Sequence, residues 1–151
     1  MKKLPEGITK NEKLPYSVAL ETRGPRIDFS GVLPELVDGP DGKKKPKSQS
    51  LEEQTREVLL KMKKMLNDCG LTFNHIVDVL IYVDGEPTIE KYEIVNRIYV
   101  EFLRADKAKD LPVRGFFGGF LLFGSKVEIK FSAVRQVPEF LSTRKSATDG
   151  E

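Results

Sequence analysis

Apolar residues recur along this chain with two different periods, and the switches between them predict its elements. Tyr16–Thr22 (YSVALET) and Arg26–Val32 (RIDFSGV) read as two short strands. Arg23-Gly24-Pro25 between them is turn chemistry and predicts a hairpin. Residues 35–49 form a polar loop with Gly, Pro and four lysines. From Ser50 the period lengthens. Ser50 with Glu53 three residues on is a capping box, and Leu51, Val58, Met62, Met65, Leu66 and Cys69 then build one apolar helix face. Gly70 stops that helix, because glycine tolerates a left-handed cap. His75–Val83 is rich in β-branched residues and reads as a buried strand. Pro87 and Thr88 open a second helix that buries Tyr92, Val95, Tyr99, Phe102 and Leu103, and residues 104–111 are a charged loop. Leu111–Phe123 follows as a strand. Gly124-Ser125 suits a type II′ turn, and Lys126–Val134 alternates as its return strand. The order ββ–α–β–α–ββ predicts an α/β sandwich, with two helices on one face of a mixed sheet.

Composition narrows the class. A chain of 151 residues, 39% hydrophobic and 32% charged, fits one globular domain. Residues 1–13 read as a leader, 14–136 as the domain and 137–151 as a flexible tail, since periodicity ends beyond Gln136. No apolar run approaches a membrane span, and the start of the chain lacks the apolar core of a signal peptide. With one cysteine, Cys69, there is neither a disulfide framework nor a multi-cysteine metal site, and a reducing, cytoplasmic setting is expected. The net charge of +2 gives no footprint for nucleic acid.

Chemistry gathers in LPVRGFFGGFLLFGSKVEIKF, residues 111–131. Arg114 heads an apolar strand. It is either a structural ion pair or edge residue, or a fork for a carboxylate ligand. Glu128 is its structural partner, a solvated strand residue or a carboxylate that orients water. With Gly124-Ser125 as a hairpin turn, parity puts Arg114 and Glu128 on opposite faces. A bulge at Gly118-Gly119 would bring them to one face; otherwise those glycines allow a neighbour to pack closely. Asn96, mid-helix beside Val95, is either exposed or turned toward a pocket. His75 is the single histidine, and with no second histidine or cysteine pair nearby it does not predict a metal site. Cys69 reads as a small core residue, and Lys43, Lys44, Lys45 and Lys47 as a solvated loop.

Several segments together resemble one family, the RidA (YjgF-type) reactive-intermediate deaminases, also known as the L-PSP endoribonuclease family. Leu14-Pro15-Tyr16-Ser17 resembles its Gly-Pro-Tyr-Ser, and Phe29-Ser30-Gly31-Val32-Leu33-Pro34 its Ser-Gly-Gln-x-Pro. Glu53-Gln54-Thr55 resembles the start of its first helix. Asn96, Tyr99 and Phe102 match its second helix. Pro112-Val113-Arg114 matches its Pro-x-Arg, and Val127-Glu128-Ile129 its last strand.

The resemblance implies a chorismate-mutase-like fold of the α+β kind, assembled as a trimer with clefts between subunits. It implies hydrolysis of 2-iminoacids and enamines to 2-ketoacids and ammonia, without a cofactor or metal. Arg114 would hold the substrate carboxylate and Glu128 would position water. Tyr16, Ser30, Gly31 and Asn96 would line the cleft, and Phe116 would narrow it. The partners implied are the small iminoacid or ketoacid and two further copies of the chain. Some relatives are described as endoribonucleases or translation inhibitors, and a non-catalytic carboxylate binder is a third reading. Four positions depart from the pattern: Leu14, Val32, Gly115 and Phe116 stand where the family has Gly, Gln, Ser or Thr, and a small residue or Cys.

Overall fold

The computed structural model describes residues 13–108 and 110–140. Most of the expected leader and most of the expected tail lie outside them. The described residues form one four-stranded sheet, two strand pairs and two α-helices. The core sheet contains β2 (Arg26–Val32), β5 (Ile76–Asp84), β6 (Val113–Gly119) and β7 (Val127–Val134), in the order β2-β7-β5-β6. β5 runs parallel to β6 and antiparallel to β7, so the sheet is mixed. Helices α1 (Leu51–Asp68) and α2 (Ile89–Ala105) cover one face. This is the expected α+β architecture.

The helices begin where local chemistry requires. Ser50 accepts the Glu53 N–H at 3.3 Å at the head of α1, and Thr88 accepts the Lys91 N–H at 3.3 Å at the head of α2. Gly70 takes φ +74° just beyond α1. The apolar stripes Val58, Leu59, Met62 and Leu66 of α1, and Val95, Ile98, Tyr99 and Leu103 of α2, are fully buried. They meet Val79, Ile81 and Val83 of β5 and Ile129 and Phe131 of β7 in one core.

Three strand pairings differ from expectation. The expected β6–β7 hairpin does not form. β5 carries Ile76, Val77, Val79, Ile81 and Val83, all buried, and such a strand is best covered on both edges. β6 takes one edge and β7 the other. Asp84 N–H donates to Lys126 O at 3.0 Å and Gly85 N–H to Gly119 O at 2.8 Å, so the end of β5 is clasped between the two. The connection is a 3₁₀ turn at Leu122–Gly124, in which Phe123 joins Gly124 at positive φ. The first hairpin also fails. β1 shrinks to Leu20–Glu21 and pairs with β8, Glu139–Phe140, in place of β2. Phe140 is buried there, so pairing extends past Gln136. The lysine loop is itself a small hairpin of β3 (Leu36–Asp38) and β4 (Lys44–Pro46), with Lys44 Nζ 2.8 Å from Asp38 Oδ1.

The glycines of β6 have separate explanations. Gly118 and Gly119 stay in regular register with Val83 and Asp84, so no bulge lies there. A Cβ at Gly118 would stand 2.1 Å from Gly85 O and 2.6 Å from Pro87 Cδ, so the turn into α2 is seated directly on this glycine. A Cβ at Gly119 would meet nothing within 4 Å. Among the described residues no helix is long and apolar enough to cross a membrane.

These two sites predict opposite outcomes. Gly118→Ala should cost about 1–3 kcal/mol through overpacking against backbone. Gly119→Ala should change stability by less than about 0.5 kcal/mol. Denaturant unfolding of both variants checks this, and equal losses would contradict the close approach at Gly118.

Candidate active site

Arg114 lies opposite Val79 in the β5–β6 register, which turns it toward the helix layer. There α2 presents Tyr92, Asn96 and Tyr99 at i, i+4 and i+7, one face of a helix. The Asn96 carboxamide oxygen accepts a hydrogen bond from Arg114 Nη2. The guanidinium carbon sits 5.5 Å from the Tyr92 ring centre and 5.0 Å from that of Tyr99. A third ring, Tyr16, stands at 5.9 Å. Ser17 N–H donates to Pro112 O at 3.1 Å, two residues before the arginine, and so ties the Tyr16 segment to β6. Phe116, next on the same face of β6, meets Tyr92 edge-on with ring centres 5.1 Å apart.

This basket holds a cation by ring faces and one amide. Arg114 Nη1 is buried and finds no hydrogen-bond partner among the described residues. Burial pushes the guanidinium below its usual range, and the phenols of Tyr99, Tyr92 and Tyr16 counter that push. Burial also pushes the Tyr99 phenol far above its usual range, so it stays protonated, and the Arg114 charge only partly offsets this.

Glu128 belongs to a different group. It lies opposite Tyr82, on the face of the sheet away from the helices, so it cannot be the partner of Arg114 within one chain. The register of β2 shifts between Phe29 and Val32, placing Ser30 and Gly31 in a bulge. A Cβ at Gly31 would stand 2.6 Å from Glu128 Oε1, so this carboxylate lies directly over the glycine. The structure therefore divides the expected site residues. Tyr16, Asn96, Arg114 and Phe116 gather on the helix side, and Ser30, Gly31 and Glu128 gather by the open face.

Two departures from the family pattern gain a physical reason. Val32 is buried and helps close the core. At Gly115 a Cβ would stand 2.4 Å from Phe117 Cε2, because the Phe117 ring folds back over this position. Phe117 in turn packs on Tyr82, with ring centres 5.7 Å apart. His75 serves the backbone, since its Nδ1 accepts the Thr72 N–H at 3.1 Å in the capping box of a short 3₁₀ helix. Cys69 is the free, half-buried cap of α1. Among the described residues no three His, Cys, Asp or Glu side chains cluster as metal ligands would. Sequence reasoning assigned Tyr92 and Tyr99 to the core alone. Their spacing around Asn96 was the available signal that they share its face.

The model of the family described as endoribonuclease L-PSP matches residues 10–135. A solved member of the YjgF protein family from Neisseria meningitidis is 26% identical, covers 74% of this chain and 80% of its own, and superposes with a TM-score of 0.58. A protein of the conserved Rid family from Yersinia pestis is 21% identical over 86% of this chain and 94% of its own, with a TM-score of 0.69. A putative endoribonuclease from Thermotoga maritima is 22% identical over 90% and 99%, with a TM-score of 0.59. A search among curated proteins finds no match. The family match spans most of the chain, and on it the protein belongs to the L-PSP endoribonuclease family, the YjgF/RidA family.

Proposed function

We propose that the protein hydrolyses reactive 2-imino and 2-enamino acids to 2-ketoacids and ammonia, in clefts completed between subunits of a homotrimer. The observation that carries this reading is the Arg114 fork. Asn96 holds one edge, while Nη1 is buried and unpartnered among the described residues. A buried donor of this kind calls for an anionic acceptor, and a planar carboxylate suits the fork.

The separation of Arg114 from Glu128 supports the subunit cleft. One chain offers a carboxylate clamp on one face and a water-orienting carboxylate on the other. A second copy supplies the missing half, so that Arg114, Asn96, Tyr16 and Phe116 of one copy face Ser30, Gly31 and Glu128 of the next. Apolar exposure favours such an assembly. Phe117, Phe120, Leu122 and Phe123 are 48%, 90%, 59% and 47% exposed, beside the open edge of β6.

The chemistry asks little of the protein. A 2-iminium carbon is already electrophilic. Arg114 fixes the substrate by its carboxylate, and Glu128 orients a water and takes its proton as the C–O bond forms. The proton then passes to the nitrogen, the C–N bond breaks as the hydroxyl oxygen forms the C=O and returns its proton to Glu128, and ammonia leaves. An RNA-cleaving role finds less support, because the single histidine, His75, is committed to its cap.

Arg114→Ala should fold and assemble yet lose about thirtyfold to a thousandfold in activity, the roughly 2–4 kcal/mol of a charged hydrogen-bonding partner. Arg114→Lys should also be impaired, because a point charge does not reproduce a fork. The readouts are iminoacid loss coupled to a serine or threonine dehydratase, and thermal melting in parallel. Full turnover by folded Arg114→Ala would end this reading.

Mixing gives a second check. Equal amounts of Arg114→Ala and Glu128→Gln chains, unfolded and reassembled together, should regain about a quarter of wild-type activity, since random pairing rebuilds that share of sites in a cyclic oligomer. Sites made within one chain would regain none.

Phe116→Ala should shift preference toward bulkier iminoacids by about 1–3 kcal/mol. Unchanged selectivity would place Phe116 outside the pocket.

A further inference from the structure

Tyr99 is the deepest of the three rings around Arg114. Its side chain is fully buried, and its hydroxyl finds no hydrogen-bond partner among the described residues. An orphaned hydroxyl is costly inside a core, and phenylalanine would fill the same volume among Val95, Ile98 and Leu103 without that cost. A second orphan lies on the guanidinium that packs over the same ring. Arg114 Nη1 is buried and unpartnered among the described residues, on a guanidinium whose carbon is 5.0 Å from the Tyr99 ring centre. Asn96 fixes the Nη2 edge and so fixes where Nη1 points.

We propose that the Tyr99 hydroxyl is a second donor to the ligand carboxylate, acting with Arg114 Nη1, and that this pair makes the pocket selective for a monoanionic carboxylate. The proposal rests on the reading of Arg114 as a carboxylate clamp. Each orphan would then gain an acceptor from the same carboxylate. The surroundings fit that charge. The groups against the guanidinium are Asn96 and three tyrosines, with no second cation among them to balance a phosphate dianion. The phenol is held protonated by its burial, so it donates throughout the ordinary pH range.

Tyr99→Phe tests this, because it removes one oxygen and keeps the ring. The probe is 2-oxobutanoate, a 2-ketoacid, titrated calorimetrically against the assembled protein, with its methyl ester and inorganic phosphate as controls. The expected result is binding of the acid by wild type, about tenfold weaker binding by Tyr99→Phe, and an unchanged or higher melting temperature. KM for the iminoacid should rise by the same factor with kcat nearly constant. The ester should bind weakly and equally to both proteins.

Equal affinity of both proteins for the acid would overturn the role of Tyr99 while leaving Arg114 in place. A parallel loss for acid and ester, or a loss accompanied by lower melting temperature, would make the hydroxyl structural and also overturn it. Wild type that ignores the acid, or prefers phosphate, would remove the Arg114 reading and this one together. Arg114→Lys/Tyr99→Phe supplies a second comparison. Two donors to one carboxylate should show non-additive losses, and strict additivity would count against a shared ligand.

Discussion

The central place of β5, paired on both edges and buried beneath the helices, is the constraint on which this structure depends. Five of its nine residues are apolar and buried, and one face lies wholly under the helices. Such a strand must be central. β7 satisfies one edge in antiparallel sense, and β6 arrives at the other in parallel sense after α2 crosses over. The placement of the candidate site follows. A parallel β6 in this register turns Arg114, Phe116 and Gly118 toward α2, and turns Gly115 and Phe117 outward with Tyr82 and Glu128.

The crossover helix also solves the electrostatic problem that this register creates. A guanidinium turned toward a helix layer meets a low-dielectric surface, and burial disfavours its charge. α2 answers with Tyr92, Asn96 and Tyr99 on one face, and the docked Tyr16 segment adds a third ring. Ring faces and an amide oxygen stabilise a cation without neutralising it. A carboxylate from the protein would hold Arg114 more firmly and would also occupy it. The arrangement keeps the positive charge inside the protein and leaves one edge of the fork uncommitted.

Local signals in the sequence proved sufficient for the helices and for β5, β6 and β7. Ser50, Thr88 and Gly70 mark their ends by chemistry that acts over three or four residues. Strand partners were less legible. Gly124 does take positive φ, but a turn residue shows that the chain reverses and not which strand it joins. The apolar demand of β5 decides that from far upstream (Asp84 N–H to Lys126 O closes the join). Parity survived the wrong pairing. Arg114 and Glu128 lie on opposite faces because their partners on β5, Val79 and Tyr82, are an odd number of residues apart, and no bulge interrupts Gly118-Gly119. The resemblance singled out Tyr16, Asn96 and Arg114, which do converge. The roles of Tyr92 and Tyr99 were hidden because aromatic rings at helical spacing are also what a core needs.

Under the proposed function, the division of the candidate site between two faces would link catalysis to assembly. In the proposed trimer each chain contributes two unlike half-sites, so a closed ring of copies pairs every clamp with a Glu128 and wastes none. Phe117, Phe120, Leu122 and Phe123 then acquire a reason to be exposed in the single chain, because they lie between the two halves in sequence. The glycine-rich end of β6 fits the same logic. Gly118 brings the Gly85–Pro87 turn down onto the strand and so sets the start of α2. That start fixes Tyr92 and Asn96 over Arg114. A backbone contact at the end of β6 thus sets the position of α2 over Arg114, while the Phe117 ring over Gly115 shapes the opposite face, which a neighbouring copy would meet in the proposed trimer.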